Sequence, residues 1–192
     1  MLYKTGEEKY FKELKILLKK HYKLLTLTDR KNIFIVITKF CDEQIMKGHF
    51  NFYEEKFSIF EEFLKTRAFY EGNDFMAHYI YEAIASNAIE CGKNDWALKF
   101  LEKYKKIVHI DFKESSYNIC MAELLFSKEK FSEALEKLSQ VFPTDVKIRT
   151  RINILLLKIF YCTNETTSFN SLLESSRKYI IRNKTVQEIN KT

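Results

Sequence analysis

One pattern of small and large apolar residues occurs twice between Tyr79 and Val141, and it limits the possible folds more than any other feature. In the first copy Ala85 and Ala88 share one helical stretch, Gly92 ends it, and Ala97, Leu101 and Tyr104 lie on the next. In the second copy the matching residues are Ala122, Leu125, Ala134, Leu138 and Val141. Ala85 to Ala122 and Ala97 to Ala134 are each 37 residues, so the register holds across both helices. A repeat of this length built from two helices is the signature of an α-solenoid, in which each pair buries its apolar face on the next. The expected fold is all-α: a right-handed α-solenoid of antiparallel helix pairs, about nine to ten helices in a single domain over 1–192.

Turn-forming residues are scarce, with four Gly and one Pro in 192 residues, which favours long helices over a sandwich or barrel. Seventeen Phe and eleven Tyr predict a core built on aromatic rings. Taken in order, Glu7–Leu25 places Tyr10, Leu14, Leu17, Leu18, Tyr22 and Leu25 at helical spacing. Its other face is Lys9, Lys12, Lys15, Lys19, Lys20 and Lys23, which gives an amphipathic N-terminal helix. Thr28 or Asp29 is the expected cap of a second helix running to Met46 and stopped by Gly48. The run Ile33–Ile37 is strand-like alone, but Phe40, Cys41, Gln44 and Ile45 continue a helical stripe. Phe50, Tyr53, Phe57, Phe60 and Phe63 mark a third helix.

Repeat-like pairs are expected over about 29–66, 74–108, 113–142 and 145–181. Gly72-Asn73-Asp74 reads as a turn and N-cap, Asn94 as a second cap, and Pro143 as the end of a repeat. In the last pair Leu157, Phe160, Phe169 and Leu173 take the places of Ala122, Leu125, Ala134 and Leu138. Ala134 to Phe169 is 35 residues, and Phe in an alanine place implies a wider helix crossing. Thr185–Thr192 opens a further helix.

The residues Ala85, Gly92, Ala97 and Leu101, then Ala122, Phe131, Ala134, Leu138 and Pro143, resemble the tetratricopeptide repeat. The resemblance covers about 75–179, and 32–65 more weakly. It departs from the family in Asn94, which replaces the usual aromatic, in the early Pro143 and in the longer period. It implies alternating A and B helices that cross at small residues, with a concave peptide-binding groove. Gly92–Lys105 and Leu155–Lys184 also resemble a group of bacterial helical-repeat proteins longer than this chain, which implies a piece of a longer solenoid.

By the same resemblance, the groove would be lined by Tyr79, Glu82, Ser86 and Ile89, then Ser116, Ile119, Glu123 and Phe126, then Arg151, Ile154, Lys158 and Tyr161. Aromatic anchors beside both charge signs suit an extended or helical peptide. Ser86, Glu123 and Lys158 stand where clamp-forming members carry Asn, so no carboxylate clamp is expected.

No chemistry rises above this reading. None of His21, His49, His78 or His109 has a Glu three residues before it, as a helical di-iron site needs, and HExxH is absent. No two glycines lie closer than twenty residues, so a glycine-rich phosphate cradle is excluded. Glu54-Glu55 and Glu61-Glu62 fall opposite the Phe stripe and read as a solvated face, not a catalytic pair. Cys41, Cys91, Cys120 and Cys162 share no metal spacing and read as buried apolar residues in a reduced compartment. Two glycosylation sequons, at Asn164 and Asn183, are attributed to chance.

The chain is therefore expected to be a non-catalytic cytoplasmic scaffold for a protein or peptide, with no cofactor, no metal and no membrane span. The net charge of +6 is modest, and nucleic acid is not the expected partner. The alternative is an adaptor for nucleic acid or an anionic surface through Lys9–Lys23 and Arg177–Lys184. Tyr179, Ile180, Ile181, Val186 and Ile189 form an apolar end, from which an end-to-end homodimer is expected.

Overall fold

The computed structural model describes residues 7–65, 70–71, 75–143 and 145–182 of this protein. Among the described residues there are nine α-helices: α1 (Glu8–His21), α2 (Leu27–Met46), α3 (Phe52–Lys65), α4 (His78–Glu90), α5 (Asn94–Tyr104), α6 (Ile110–Ser127), α7 (Phe131–Ser139), α8 (Val146–Cys162) and α9 (Thr166–Arg182). Single 3-10 turns, Tyr22–Leu24 and Lys105–Ile107, extend α1 and α5. The protein is all-α apart from two-residue strands β1 (Tyr70–Glu71) and β2 (Phe75–Met76), which pair antiparallel. No helix among the described residues is long and apolar enough to cross a membrane. Two compact units divide the chain, Met1–His109 and Ile110–Thr192.

Four helices end in the same way. After α2 and α4 the chain turns through Gly48 (φ 89°) and Gly92 (φ 69°), the two glycines expected to stop them. After α6 and α8 the left-handed positions are Glu129 (φ 59°) and Asn164 (φ 58°). Each turn is closed by a backbone N–H reaching back to a carbonyl of the last helical turn. His49 donates to Gln44, Lys93 to Ala88, Lys130 to Leu125 and Glu165 to Phe160, at 2.9–3.0 Å. Gly92, Glu129 and Asn164 are 37 and then 35 residues apart, so the helix ends keep the spacing of the apolar pattern.

In the first unit α1 packs on α2, α2 on α3, α3 on α4 and α4 on α5. Its core is aromatic. Phe11 stacks on Phe40 with ring centroids 4.7 Å apart, Phe34 meets Phe63 at 4.6 Å, and Trp96 stacks on Phe100 at 5.4 Å. Tyr81 is fully buried and donates its hydroxyl to the Leu101 carbonyl at 2.9 Å, tying α4 to α5. In the second unit α6 packs on α7 and α8 on α9, around a core of Ile119, Ala122, Ala134, Leu138, Val141, Ile152, Leu155 and Ile159. Ala85, Ala97, Ala122 and Ala134 have no accessible surface.

The structure corrects several local expectations. Thr26, not Thr28 or Asp29, caps α2: its side chain accepts from the Asp29 N–H while Asp29 accepts from the Thr26 N–H, a capping box. Helix α1 buries Phe11 and Leu18 and leaves Ile16 and Leu17 exposed, so its apolar face is rolled from the expected stripe. Phe50 precedes α3 and is exposed. The fourth helix starts at His78 because Phe75 and Met76 are taken by the pairing with Tyr70 and Glu71. Lys93 holds the N-cap position of α5, so Asn94 is its first helical residue. Ile110 and Asp111, which fall between the pairs expected over 74–108 and 113–142, form the first turn of α6.

In the last pair, α8 buries Ile152, Leu155 and Ile159 instead of Leu157 and Phe160, and Leu173 is exposed. The buried residue of α9 is Ser176, which Asn153 of α8 meets at 3.0 Å. Asp145 caps α8, accepting from the Ile148 N–H at 2.9 Å. The turn at 72–74 and the segment 185–192 lie outside the described residues.

Candidate functional site: exposed helix faces and their charge

Helix α8 carries the clearest candidate surface. Arg151, Ile154, Lys158 and Tyr161 recur every three to four residues and so share one side of the helix. Ile154 is 51% and Tyr161 76% exposed, although both are large apolar residues, and Lys158 between them is also exposed. The Tyr161 ring stands 6.4 Å from that of Phe169 on α9, which supports its base while leaving the rest in solvent. Arg151 is held from below. Its Nε and Nη2 donate to the two carboxylate oxygens of Glu123 at 2.7 and 2.8 Å, a bidentate pair that fixes the guanidinium. The Cys120 Sγ lies 3.7 Å from the same Nη2.

The other expected groove residues divide by burial. In the second unit Ser116 and Ile119 are interior, Ile119 within the core itself, so neither can face a partner. Ile119 packs in the second unit's own core, which the 37-residue register does not reveal. Phe126 is half-buried against the core, its ring 5.7 Å from Phe131. In the first unit Tyr79 is half exposed, whereas Glu82, Ser86 and Ile89 are half-buried. Tyr79 borders a cleft of about 210 Å³ whose walls include Ile35, Lys39, Asp42 and Phe60. The structure thus brings Glu123, Arg151, Ile154, Lys158 and Tyr161 together on the second unit, and Tyr79 to a cleft of the first.

The lysine face of α1 proves to be largely neutralised. Lys9 pairs with Glu7 at 3.1 Å and Lys12 with Glu8 at 2.9 Å. Lys15 pairs with Glu55 and Lys19 with Glu62 of α3, the latter at 3.4 Å. The acidic side of α3, read as a solvated face, is therefore in part the counter-charge of α1. Glu54 pairs with Lys93 at 3.0 Å, and this hydrogen bond raises the Lys93 pKa. Of the six lysines, Lys20 and Lys23 have no carboxylate partner among the described residues. No sequence signal announced the pairing to α3, because the partners are about forty residues apart.

Cys41 and Cys91 offer little nucleophilicity. Burial, aided by the Glu55 charge, pushes the buried Cys41 up to about 12, and burial pushes the half-buried Cys91 up to about 11. Cys120 is buried, but Cys162 is exposed, contrary to expectation, because it ends α8 on the solvent side. Among the described residues no three His, Cys, Asp or Glu side chains gather in a metal-binding group.

Fold and surface together define an all-α protein whose accessible features are helix faces and shallow clefts. Compared with protein-family models, with curated proteins and with solved structures, the chain matches none.

Proposed function

We propose that this protein is a tetratricopeptide-like helical-repeat scaffold, with right-handed stacking of antiparallel pairs, that binds a protein partner through its helix faces. One observation carries the reading: Ile154 and Tyr161 stand in solvent two turns apart, flanking Lys158, beside a guanidinium already fixed by Glu123. Exposed apolar side chains set among ordered charges are a common signature of an interaction site. The recurring helix-end geometry at Gly92, Glu129 and Asn164 supports the repeat architecture. The partner segment would carry apolar side chains for Ile154 and Tyr161 and a carboxylate for Lys158.

The alternative adaptor for nucleic acid is weakened by the ion pairs that occupy Lys9, Lys12, Lys15 and Lys19. A photo-crosslinking amino acid placed at Lys147, on the same helix, should capture a defined protein from native lysate. Ile154→Ala with Tyr161→Ala should remove that product while leaving the thermal melt unchanged, since truncating central anchors typically costs about 2 kcal/mol or more of binding. An identical crosslinking pattern with the double variant would refute the assignment.

A further inference from the structure

The C-terminal end of α1 opens onto a cleft of about 480 Å³, within the range of small-molecule sites. Its apolar lining is Leu18, Tyr22, Leu24 and Phe34, from α1, the 3-10 turn after it and α2. Leu24 is 82% exposed, an apolar side chain left at the mouth. The charged lining consists of four lysines, Lys19, Lys20, Lys23 and Lys65, and the single carboxylate of Glu62. Lys19 satisfies that carboxylate at 3.4 Å. Lys20, Lys23 and Lys65 have no carboxylate partner among the described residues, so the cleft keeps an uncompensated positive rim.

Tyr22 adds a second anomaly. Its backbone carbonyl accepts from Arg30 Nε at 3.1 Å and the Arg30 guanidinium lies 3.9 Å from its ring centre, so the ring is held in place. Its hydroxyl is nevertheless buried with no hydrogen-bond partner among the described residues. A buried donor without an acceptor is costly and rare, and a bound acceptor would relieve it.

We propose that this cleft binds an anionic amphiphile, with the chain among Leu18, Leu24 and Phe34 and the head group, a hydrogen-bond acceptor, at Tyr22, Lys20, Lys23 and Lys65. Apolar walls reward burial of a hydrocarbon chain, and the unpaired ammonium groups select negative charge at its end. A long-chain carboxylate and an acidic membrane lipid share this chemistry. The cleft is lined by residues of the first unit only and does not involve Ile154 or Tyr161.

Two arms test it on the full chain. In the first, sodium oleate is titrated against the protein, with oleyl alcohol as a probe of equal chain length and no charge. In the second, flotation is measured with phosphatidylcholine vesicles with and without phosphatidylglycerol. Saturable oleate binding is expected, roughly tenfold weaker for oleyl alcohol and for Lys20→Gln with Lys23→Gln, both exposed positions whose loss should not affect folding. Vesicle binding should require phosphatidylglycerol and fall in the same variant. Oleate binding alone identifies a free amphiphile as the source, and vesicle binding alone a bilayer lipid; either upholds the shared chemistry. Failure of both probes to bind, or binding that the lysine variant leaves unchanged, overturns the proposal.

Discussion

Replacing Glu129 by glycine should make this protein more stable, against the usual trend of substitutions. Glu129 sits at φ 59° in the turn after α6, a conformation that a side chain makes unfavourable. Relief of that strain is worth about 1–2 kcal/mol, and the freer unfolded chain of the variant gives back about 0.4–1 kcal/mol. A net gain of about 0.5–1 kcal/mol remains. The Glu129 side chain is exposed, so little else is lost with it. Gly92 provides the mirror experiment in the first unit. A Cβ built there would meet no atom within 4 Å, so Gly92→Ala costs only the backbone conformation, again about 0.5–1 kcal/mol but now destabilising. Asn164→Gly should gain less than Glu129→Gly, because Asn tolerates the left-handed region better. Calorimetric melts resolve these differences at roughly 2–4 °C per kcal/mol for a chain of this size. A Glu129→Gly variant no more stable than wild type, with Gly92→Ala also unchanged, would show that these turns are not the strained helix ends described here.

Further outcomes can be checked alongside. Thr26→Ala should lower stability by about 1 kcal/mol through loss of the α2 capping box, with Thr26→Ser close to wild type in urea denaturation. Ala134→Leu should cost about 1–3 kcal/mol in a site with no free surface, whereas Ser132→Leu on the exposed side of α7 should stay within about 0.5 kcal/mol; equal melts would refute the helix pairing. Iodoacetamide should modify the exposed Cys162 before Cys91, and the buried Cys41 last. Because folding raises the Cys41 pKa from its ordinary 9.0 to about 12, its contribution to stability is intact below pH 9 and declines as pH rises through that window. Stability that increased between those values would contradict the burial of this thiol. Ile181 is exposed at the end of α9, and an end-to-end dimer would cover it. Sedimentation should then show a concentration-dependent dimer that Ile181→Lys abolishes, and a monomer at high concentration refutes that contact.

Much of the helical framework could be read in the sequence, because it follows from short-range periodicity. Ala85, Ala97, Ala122 and Ala134 recur at a fixed spacing in the sequence, and all four are fully buried. Gly48 and Gly92 stop their helices because only glycine enters the left-handed region freely. The same turn made by Glu129 and Asn164 was hidden, since neither residue type signals it as glycine does. In the candidate site, Tyr79, Lys158 and Tyr161 were legible as outward positions of their helices, but Ser116 and Ile119 were not legible as interior ones. Periodicity defines which residues share a side of a helix, whereas the angle at which that side is presented depends on what packs there. The roll of α1, which buries Phe11 and exposes Leu17, is settled by Phe40 and Phe52 on other helices. The pairing of Lys15 and Lys19 with Glu55 and Glu62 decides which lysines remain unpaired, and it depends on helices about forty residues apart being brought together. Local sequence therefore determined most of the helices and the stops made by glycine. The tertiary structure alone decided which faces meet, because apolar burial and ion pairing join residues whose separation along the chain carries no periodic signal.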